Sequence, residues 1–310
     1  MTDSAISIIG LRKTYAPSRR SPAEKEALRS VDLAIPRGMV FGLLGPNGAG
    51  KSTLINILAG LVKKSAGTVR INGLDLDADP RATRYQIGVV PQEVVLDPFF
   101  SVYEALEYYG GYYGIPKAKR RTKELLAALT LTDKQHVNSR RLSGGMKRRV
   151  LIAKALVHSP PIVILDEPTA GVDVELRSQL WDYVRVLNKQ GTTVMLTTHY
   201  LEEAESLCDR VAIINHGTII ANDTVKGLKK LLDYKKLILR FSDAVKEVPK
   251  TLEAFKVEQP DAHTLTITYQ PSKTSIEELL HFTKQANLAI NDLSTEEPDL
   301  EDVFRKMVAG

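Results

Sequence analysis

The sequence is poor in cysteine. Cys208 is the only cysteine among 310 residues, so the chain cannot form an intramolecular disulfide. Cysteine and histidine residues also do not recur at the spacing of a zinc site. This composition fits a reducing compartment.

Long hydrophobic runs are missing as well. Apolar residues nowhere continue for the roughly 18 positions that a membrane-spanning helix needs. The first residues, MTDSAISIIGLRKTY, lack a long apolar core behind a basic leader. We therefore expect a chain that is neither secreted nor inserted into a membrane.

The remaining composition is that of an ordinary globular protein, with 43% apolar and 25% charged residues. Because single hydrophobic cores stop growing near roughly 250 to 300 residues, the length predicts two domains. The net charge of +5 is concentrated in patches such as KAKRRTK (117–123) and the basic residues around 140–149. These patches indicate a solvated surface or a contact with a partner or membrane surface. We do not expect nucleic-acid binding, because the aromatics of YYGGYYG (108–114) fit a helix end packed in a small subdomain equally well.

The stretch GPNGAGKST matches the phosphate-loop pattern G-x-x-x-x-G-K-[ST] between a predicted strand and a predicted helix. Its glycines let successive backbone N–H groups point inward, and the helix N-terminus adds its dipole. Lys51 reaches the β- and γ-phosphates of a nucleotide, and Ser52 supplies a magnesium ligand. The predicted nucleotide-binding residues are Gly45, Pro46, Asn47, Gly48, Ala49, Gly50, Lys51, Ser52 and Thr53.

Polar residues end three further apolar runs. Asp166 ends IVILD and can hold magnesium, and Glu167 follows, placed to polarise a water for attack on the γ-phosphate. His199 ends TVMLTTH, at the edge where parallel sheets place ligands, although a lone histidine is more often a surface or core residue. Gln92 in VVPQE is the weakest candidate, because polar residues end strands everywhere.

A second glycine-rich stretch, LSGG (142–145), opens another predicted helix. The sequence offers no second lysine or acid pair to complete an independent site around Ser143, Gly144 and Gly145. The exposed N–H groups of a helix start can still bind a γ-phosphate that is held by something else. A flexible turn before a helix is the alternative.

Strands that alternate with helices predict an α/β fold, and a helical insert over about 93–160 interrupts the alternation. We predict one domain over 1–225. Residues 226–310 contain the alternating runs LILRF and TLTITY, a Ser275-x-x-Glu278 capping box, and the amphipathic segment PDLEDVFRKMV. They predict a small α+β accessory or regulatory domain.

Taken together, the motifs over residues 1–225 resemble the ATP-binding subunit of an ABC transporter. The motifs follow one another in that family's order: phosphate loop, Gln92, LSGG signature, the strand that ends in Asp166, the turn from Ala170 to Asp173, and His199. The resemblance implies a phosphate-loop NTPase core with an antiparallel β subdomain and a helical subdomain. The stretches GVD (171–173) and TTHYLEEAE (197–205) and the tail resemble the drug-, polysaccharide- and lipid-exporting branch. The resemblance to daunorubicin-resistance-like ATPases is particularly close.

The resemblance also implies site roles. Tyr15 stacks on adenine, Gln92 links magnesium and the attacking water to the membrane partner, and His199 contacts the γ-phosphate. Lys51 and Glu167 complete the catalytic set, with Ser52, Gln92 and Asp166 at Mg²⁺. Ser143, Gly144 and Gly145 close over the ATP held by a second copy of the chain.

The implied partner is a separate integral membrane permease, which holds the chain at the cytoplasmic side of the inner membrane. Two alternatives remain. One is a soluble ABC ATPase without a transport role, and the other is the ATPase of an importer. Neither two joined ATP-binding halves nor a long coiled-coil insert is present, so the first alternative is disfavoured.

Overall fold

The computed structural model describes residues 4–17, 23–172, 174–285 and 288–309. It divides into two compact units, Met1–Val225 and Lys226–Gly310. Asp173, the last residue of the expected turn after Glu167, and residues 18–22 of the expected hairpin loop lie outside the described residues. No helix in the described part of the chain is long and apolar enough to cross a membrane.

The helices and strands of the first unit are, in chain order, β1 (Ser4–Tyr15), β2 (Lys25–Pro36), β3 (Val40–Leu44), α1 (Lys51–Leu58), β4 (Ala66–Ile71), β5 (Leu74–Asp75), α2 (Pro80–Tyr85), β6 (Ile87–Val90), α3 (Val102–Tyr112), α4 (Thr122–Ala128), α5 (Gly144–Leu156), β7 (Ile162–Asp166), α6 (Val174–Lys189), β8 (Thr193–Thr197), α7 (Leu201–Leu207), β9 (Arg210–Asn215) and β10 (Thr218–Thr224).

Two sheets form the body of this unit. The antiparallel sheet has the order β2-β1-β4-β5, and the larger sheet has the order β10-β9-β3-β8-β7-β6. In the larger sheet β9, β3, β8, β7 and β6 are parallel, and β10 is antiparallel to β9. The predicted α/β core with an antiparallel β subdomain is confirmed.

The main core lies around α1, because the cluster of buried residues joins α1 to both sheets. Ile6 and Leu11 come from β1, Phe41 from β3, and Leu54 and Ile57 from α1. Buried strands β3, β7 and β8 are continuous apolar runs, as expected for a parallel sheet covered on both faces. Leu61 follows the apolar spacing of α1 but lies beyond the end of the helix and is 76% exposed.

The predicted helical insert contains α3, α4 and α5, but residues 93–100 at its start are not helical. The helix begins instead at a capping box, in which Ser101 and Glu104 satisfy each other's backbone N–H groups. Arg120 from the basic patch is largely buried, and its Nη1 lies 2.7 Å from Glu107 Oε2. Arg121 pairs with Glu124 and donates to Ser159. Part of this patch therefore forms intramolecular contacts.

The second unit contains α8 (Val225–Lys229), which begins at the boundary, then β11 (Lys235–Phe241), β12 (Lys256–Asp261), β13 (Thr264–Tyr269), α9 (Ile276–Gln285), β14 (Ile290–Glu296) and α10 (Leu300–Ala309). Its antiparallel sheet has the order β12-β13-β11-β14. Ser275 and Glu278 form the predicted capping box at α9. The two edge strands, β12 and β14, were not predicted, because they are mostly exposed and lack apolar alternation.

Candidate active site

The phosphate loop and the predicted residues Gln92, Asp166, Glu167 and His199 converge at one edge of the larger sheet. Its adjacent parallel strands β3, β8, β7 and β6 place their carboxyl ends side by side. The phosphate loop follows β3, His199 follows β8, Glu167 follows β7, and Gln92 follows β6. This edge is where open α/β sheets bind ligands.

The phosphate loop depends on glycine for two different reasons. Gly48 and Gly50 have positive φ angles of 80° and 114°, which side-chain-bearing residues rarely adopt. Gly45 is required for space instead, because a Cβ there would lie 2.3 Å from the carbonyl oxygen of Ile214. Gly50 also caps α1 without a side-chain hydrogen bond, so the first N–H groups of α1 remain directed at the loop.

Lys51 lies in the mouth of the loop and is only 8% exposed. Its Nζ donates to the carbonyl oxygens of Gly45 at 2.7 Å and Pro46 at 3.1 Å. Burial lowers the pKa of Lys51, while the charges of Glu167 and Asp166 act in the opposite direction. The ammonium group is thus a partly desolvated cation aimed at the phosphate-binding loop.

Asp166, the last residue of β7, is buried and accepts a 2.6 Å hydrogen bond at Oδ1 from the Thr197 hydroxyl. Burial raises the pKa of Asp166, and the hydrogen bond from Thr197 opposes that shift. The same hydroxyl accepts a hydrogen bond from the Glu167 backbone N–H at 3.0 Å. Thr197 therefore fixes both acids, and the sequence analysis missed it.

Two other candidate residues, Gln92 and His199, lie next to the carboxylate of Glu167. Its Oε2 accepts from Gln92 Nε2 at 3.0 Å and lies 3.5 Å from His199 Nδ1. Its backbone has a φ of 46°, which is uncommon for a residue with a side chain. Such strain is typical of functional sites. The predicted trio of Glu167, Gln92 and His199 therefore forms one cluster.

A cavity of about 500 Å³ opens beside this cluster. Tyr15 lies at its wall, half-exposed, with Lys13 Nζ 4.7 Å from the centre of its ring. The predicted site residues that line the cavity are Tyr15, Asn47, Gly48, Gly50, Lys51, Ser52, Thr53, Gln92 and Glu167.

The signature stretch lies apart from that cavity. Ser143 caps α5, and its hydroxyl accepts from the Met146 N–H at 3.3 Å. Ser143 and Gly144 are exposed, and a Cβ on Gly144 would meet nothing within 4 Å. Among the described residues that line the cavity, none comes from 143–145. The N-terminus of α5 is thus an open surface within one copy of the chain.

Arg148 corrects the interpretation of the basic run as solvated surface. It is 5% exposed, and its Nη1 donates to the carbonyl oxygen of Pro91 at 2.8 Å, next to Gln92. Burial lowers its pKa, and Asp166 and Glu167 oppose that shift. The LSGG helix is therefore joined to the loop that carries Gln92.

A second missed residue is Glu203 on α7, which is 6% exposed. Its Oε2 accepts from the hydroxyls of Thr198 at 2.8 Å and Thr169 at 3.0 Å. Thr198 precedes His199, and Thr169 lies two residues after Glu167. Helical spacing around Glu203 could indicate its burial, but no local pattern indicates that Thr169 and Thr198 are its partners.

Comparisons with known proteins identify proteins that are similar to this chain. Residues 28–170 match the family described as "ABC transporter". The daunorubicin resistance ATP-binding protein DrrA3 of Streptomyces coeruleorubidus is 35% identical over 309 residues, which cover 98% of this chain and 96% of that protein. The daunorubicin/doxorubicin resistance ATP-binding protein DrrA of Streptomyces peucetius is 42% identical over 242 residues, covering 77% and 71%.

One similar solved structure is described as a "Dimeric structure of a post-hydrolysis state of the ATP-binding cassette MJ0796 bound to ADP and Pi". It is 27% identical, with a TM-score of 0.64, and the alignment covers 71% of this chain and 98% of that one. The cassette fold is therefore shared over most of this chain.

Proposed function

Because this chain belongs to the ATP-binding proteins of the ABC transporter family, we propose that it hydrolyses ATP to power export through a separate membrane-spanning subunit. One observation carries the proposal. Glu167 lies at the end of β7 with Gln92 and His199 on its carboxylate, facing a cavity lined by the phosphate loop. The resistance proteins named above support export as the direction.

In this proposal the phosphate loop, Lys51 and the N-terminus of α1 bind the phosphates of ATP. Tyr15 stacks on the adenine from the other wall of the cavity. Glu167 acts as general base toward the attacking water, because its carboxylate is held by Gln92 and His199. His199 is exposed and can reach the γ-phosphate from its position beside Glu167.

The oxygen donors at this edge suit Mg²⁺, which is usually bound through one or two carboxylates together with substrate phosphates and water. Asp166 would hold the ion through its carboxylate, which the hydrogen bond from Thr197 to Oδ1 keeps in place. The Ser52 hydroxyl and the amide oxygen of Gln92 complete the protein donors. The described residues contain no cluster of three or more His, Cys, Asp or Glu side chains that could hold a metal by themselves. Bound Mg²⁺ would neutralise phosphate charge during hydrolysis.

The open N-terminus of α5 supports a second copy of the chain as partner. Ser143 and Gly144 are exposed and Gly145 is partly buried, and none of the three lines the cavity of its own chain. They suit the γ-phosphate of an ATP that the other copy holds. The MJ0796 structure is itself described as dimeric.

A second cavity, of about 300 Å³, supports a membrane subunit as the other partner. It lies between the sheet edge and the helical subdomain, with Leu61, Tyr109 and Pro91 in its wall. Tyr108 and Tyr112 are exposed nearby on α3. Pro91 precedes Gln92, so a segment docked there would contact the loop of the catalytic cluster. We propose that this subunit holds the chain at the cytoplasmic face of the membrane.

The direct test compares ATP turnover of the wild type with that of Glu167→Gln. Removal of a general base typically costs about 10²- to 10⁴-fold in rate. We expect that loss with ATP binding retained and with a dimer that persists in MgATP during size-exclusion chromatography. Glu202→Gln, on the exposed side of α7, is the matched control and should hydrolyse ATP normally. Full turnover by Glu167→Gln would contradict the proposed role.

The direction of transport has its own test. The chain and its membrane subunit are placed in inside-out vesicles with ATP and a fluorescent drug such as daunorubicin outside. An exporter accumulates its substrate inside such vesicles, and the Lys51→Ala variant does not. ATP-driven loss of substrate that had been loaded into the vesicles would indicate an importer.

A further inference from the structure

The buried carboxylate of Glu203 has no part in the roles assigned so far. We propose that Glu203 is a positioning residue that orients His199 toward Glu167 by holding the loop after β8 against the loop after β7. The inference rests on the proposed function, in which His199 and Glu167 act on ATP.

The contacts of Glu203 bring the two loops together at one atom. Its Oε2 accepts from Thr198, which is adjacent to His199, and from Thr169, which follows Glu167 by two residues. All three side chains are at least nine-tenths buried. Hydrogen bonds to a charged group are stronger than neutral ones, and leaving any of these groups unpaired in the interior is costly.

The other carboxylate oxygen, Oε1, accepts no hydrogen bond among the described residues but lies beside a cation. Arg177 Nε lies 3.3 Å from Glu203 Oε1, so the buried negative charge is compensated. The Arg177 guanidinium lies over the ring of Tyr200, 4.4 Å from its centre. The Tyr200 ring lies in turn 4.0 Å from that of His199. Glu203 is therefore connected to His199 by two routes. One runs through Thr198, and the other runs through Arg177 and Tyr200.

His199 needs this support because little else fixes it. Its side chain is half-exposed, and its Nδ1 lies 3.5 Å from Glu167 Oε2, longer than a strong hydrogen bond. Glu167 holds a strained backbone at φ 46°, which only its surroundings can maintain. Shifts of about 1 Å in such a cluster can cost a hundredfold in rate.

The first experiment compares Glu203→Ala with Glu202→Ala, which removes the neighbouring, exposed acid of the same helix. Steady-state kinetics give kcat and KM for MgATP, and binding of a fluorescent ATP analogue gives Kd. We expect Glu203→Ala to lower kcat by about tenfold or more while the nucleotide Kd changes by less than about threefold, because positioning affects the chemical step. Glu202→Ala should match the wild type. A wild-type kcat in Glu203→Ala would overturn the proposal.

A milder pair of variants remains informative if Glu203→Ala does not fold. Thr198→Val keeps the shape of the side chain and removes its hydroxyl, whereas Thr198→Ser keeps the hydroxyl. We expect Thr198→Val to lower kcat and Thr198→Ser to retain most of it. Equal kcat values in the two variants would show that the hydrogen bond to Glu203 does not position His199.

A double-mutant cycle then separates positioning from general loss of stability. If Glu203 acts through His199, Glu203→Ala should cost little further rate once His199→Ala is present. If the two losses multiply in full, Glu203 acts elsewhere and the inference fails. Normal turnover by both His199→Ala and Glu167→Gln would refute the proposed function itself. Impaired turnover by those two beside a normal Glu203→Ala would refute the positioning role alone.

Discussion

The burial of His158 makes the stability of the first unit depend on pH. The ring stacks on Tyr113 with 3.9 Å between ring centres and 7° between planes. Its Nε2 lies 3.2 Å from the carbonyl oxygen of Ile87. Because its environment is largely buried, the pKa of His158 falls to about 4, below the ordinary 6.5.

The sign of the effect follows from proton binding. Between pH 6.5 and pH 4 the unfolded chain takes up a proton at His158 that the folded chain does not, so stability falls as the pH falls. The contribution is fully present above pH 6.5. The difference between a pKa of 6.5 and one of about 4 corresponds to at most about 3.4 kcal/mol, and partial exposure of the ring reduces this to about 2 kcal/mol.

The test substitution is His158→Phe, which keeps an aromatic ring against Tyr113 but cannot take up a proton. At pH 7 the free energy of unfolding of His158→Phe should be about 1 kcal/mol lower than that of the wild type, because the variant lacks the hydrogen bond to Ile87. Between pH 7 and pH 4.5 the wild type should then lose about 2 kcal/mol more than the variant. Urea unfolding followed by the fluorescence of Trp181 suits this measurement, since that residue is the only tryptophan and is buried in the first unit.

The control is His263→Phe, which changes an exposed histidine of the second unit. Its unfolding curves should follow those of the wild type at every pH. If the wild type and His158→Phe lose the same free energy of unfolding on acidification, the buried, neutral state assigned to His158 is wrong.

Two further predictions concern nucleotide binding. Tyr15→Ala should weaken ATP binding by about fivefold or more, because stacking of a base on an aromatic ring contributes about 1 to 3 kcal/mol, whereas Tyr15→Phe should bind normally. Equal dissociation constants in isothermal titration would exclude stacking. Deletion of residues 226–310 should leave the ATP dissociation constant unchanged, because the phosphate loop and the cavity residues all belong to the first compact unit. Loss of binding by a folded deletion variant would show that the tail belongs to the catalytic part.

The cluster of Glu167, Gln92 and His199 could be predicted because its members belong to short motifs at the ends of apolar strands. Such strands can be recognised from composition, and a parallel sheet places their carboxyl ends on one edge. The order β3-β8-β7-β6 could not be predicted, since it depends on crossovers that no local pattern records. The steric requirement for glycine at position 45 could not be predicted either, because the residue that approaches it, Ile214, is far away in the sequence.

In the second unit, only two of the four strands could be predicted from the sequence. Strands β11 and β13 alternate apolar and polar residues because one face packs on the core of that unit. Strands β12 and β14 pair with them by backbone hydrogen bonds, and most of their side chains remain in solvent. Since backbone pairing leaves no mark on side-chain composition, these edges become visible only in the structure.

Helical spacing can indicate the burial of some charged residues but not of others. Glu203 lies three residues after Tyr200, the N-cap of α7, and four before Leu207, so helical spacing places it nearer the apolar side of α7 than Glu202. Glu202 shares its side with Glu205 and Ser206 and is exposed. On α5 the same argument fails, because Arg148 and Arg149 are both followed at three and four residues by apolar side chains. Spacing could therefore have identified Glu203 as a buried acid that needs partners, whereas the position of Arg148 beside Pro91 depends on how α5 packs against β6.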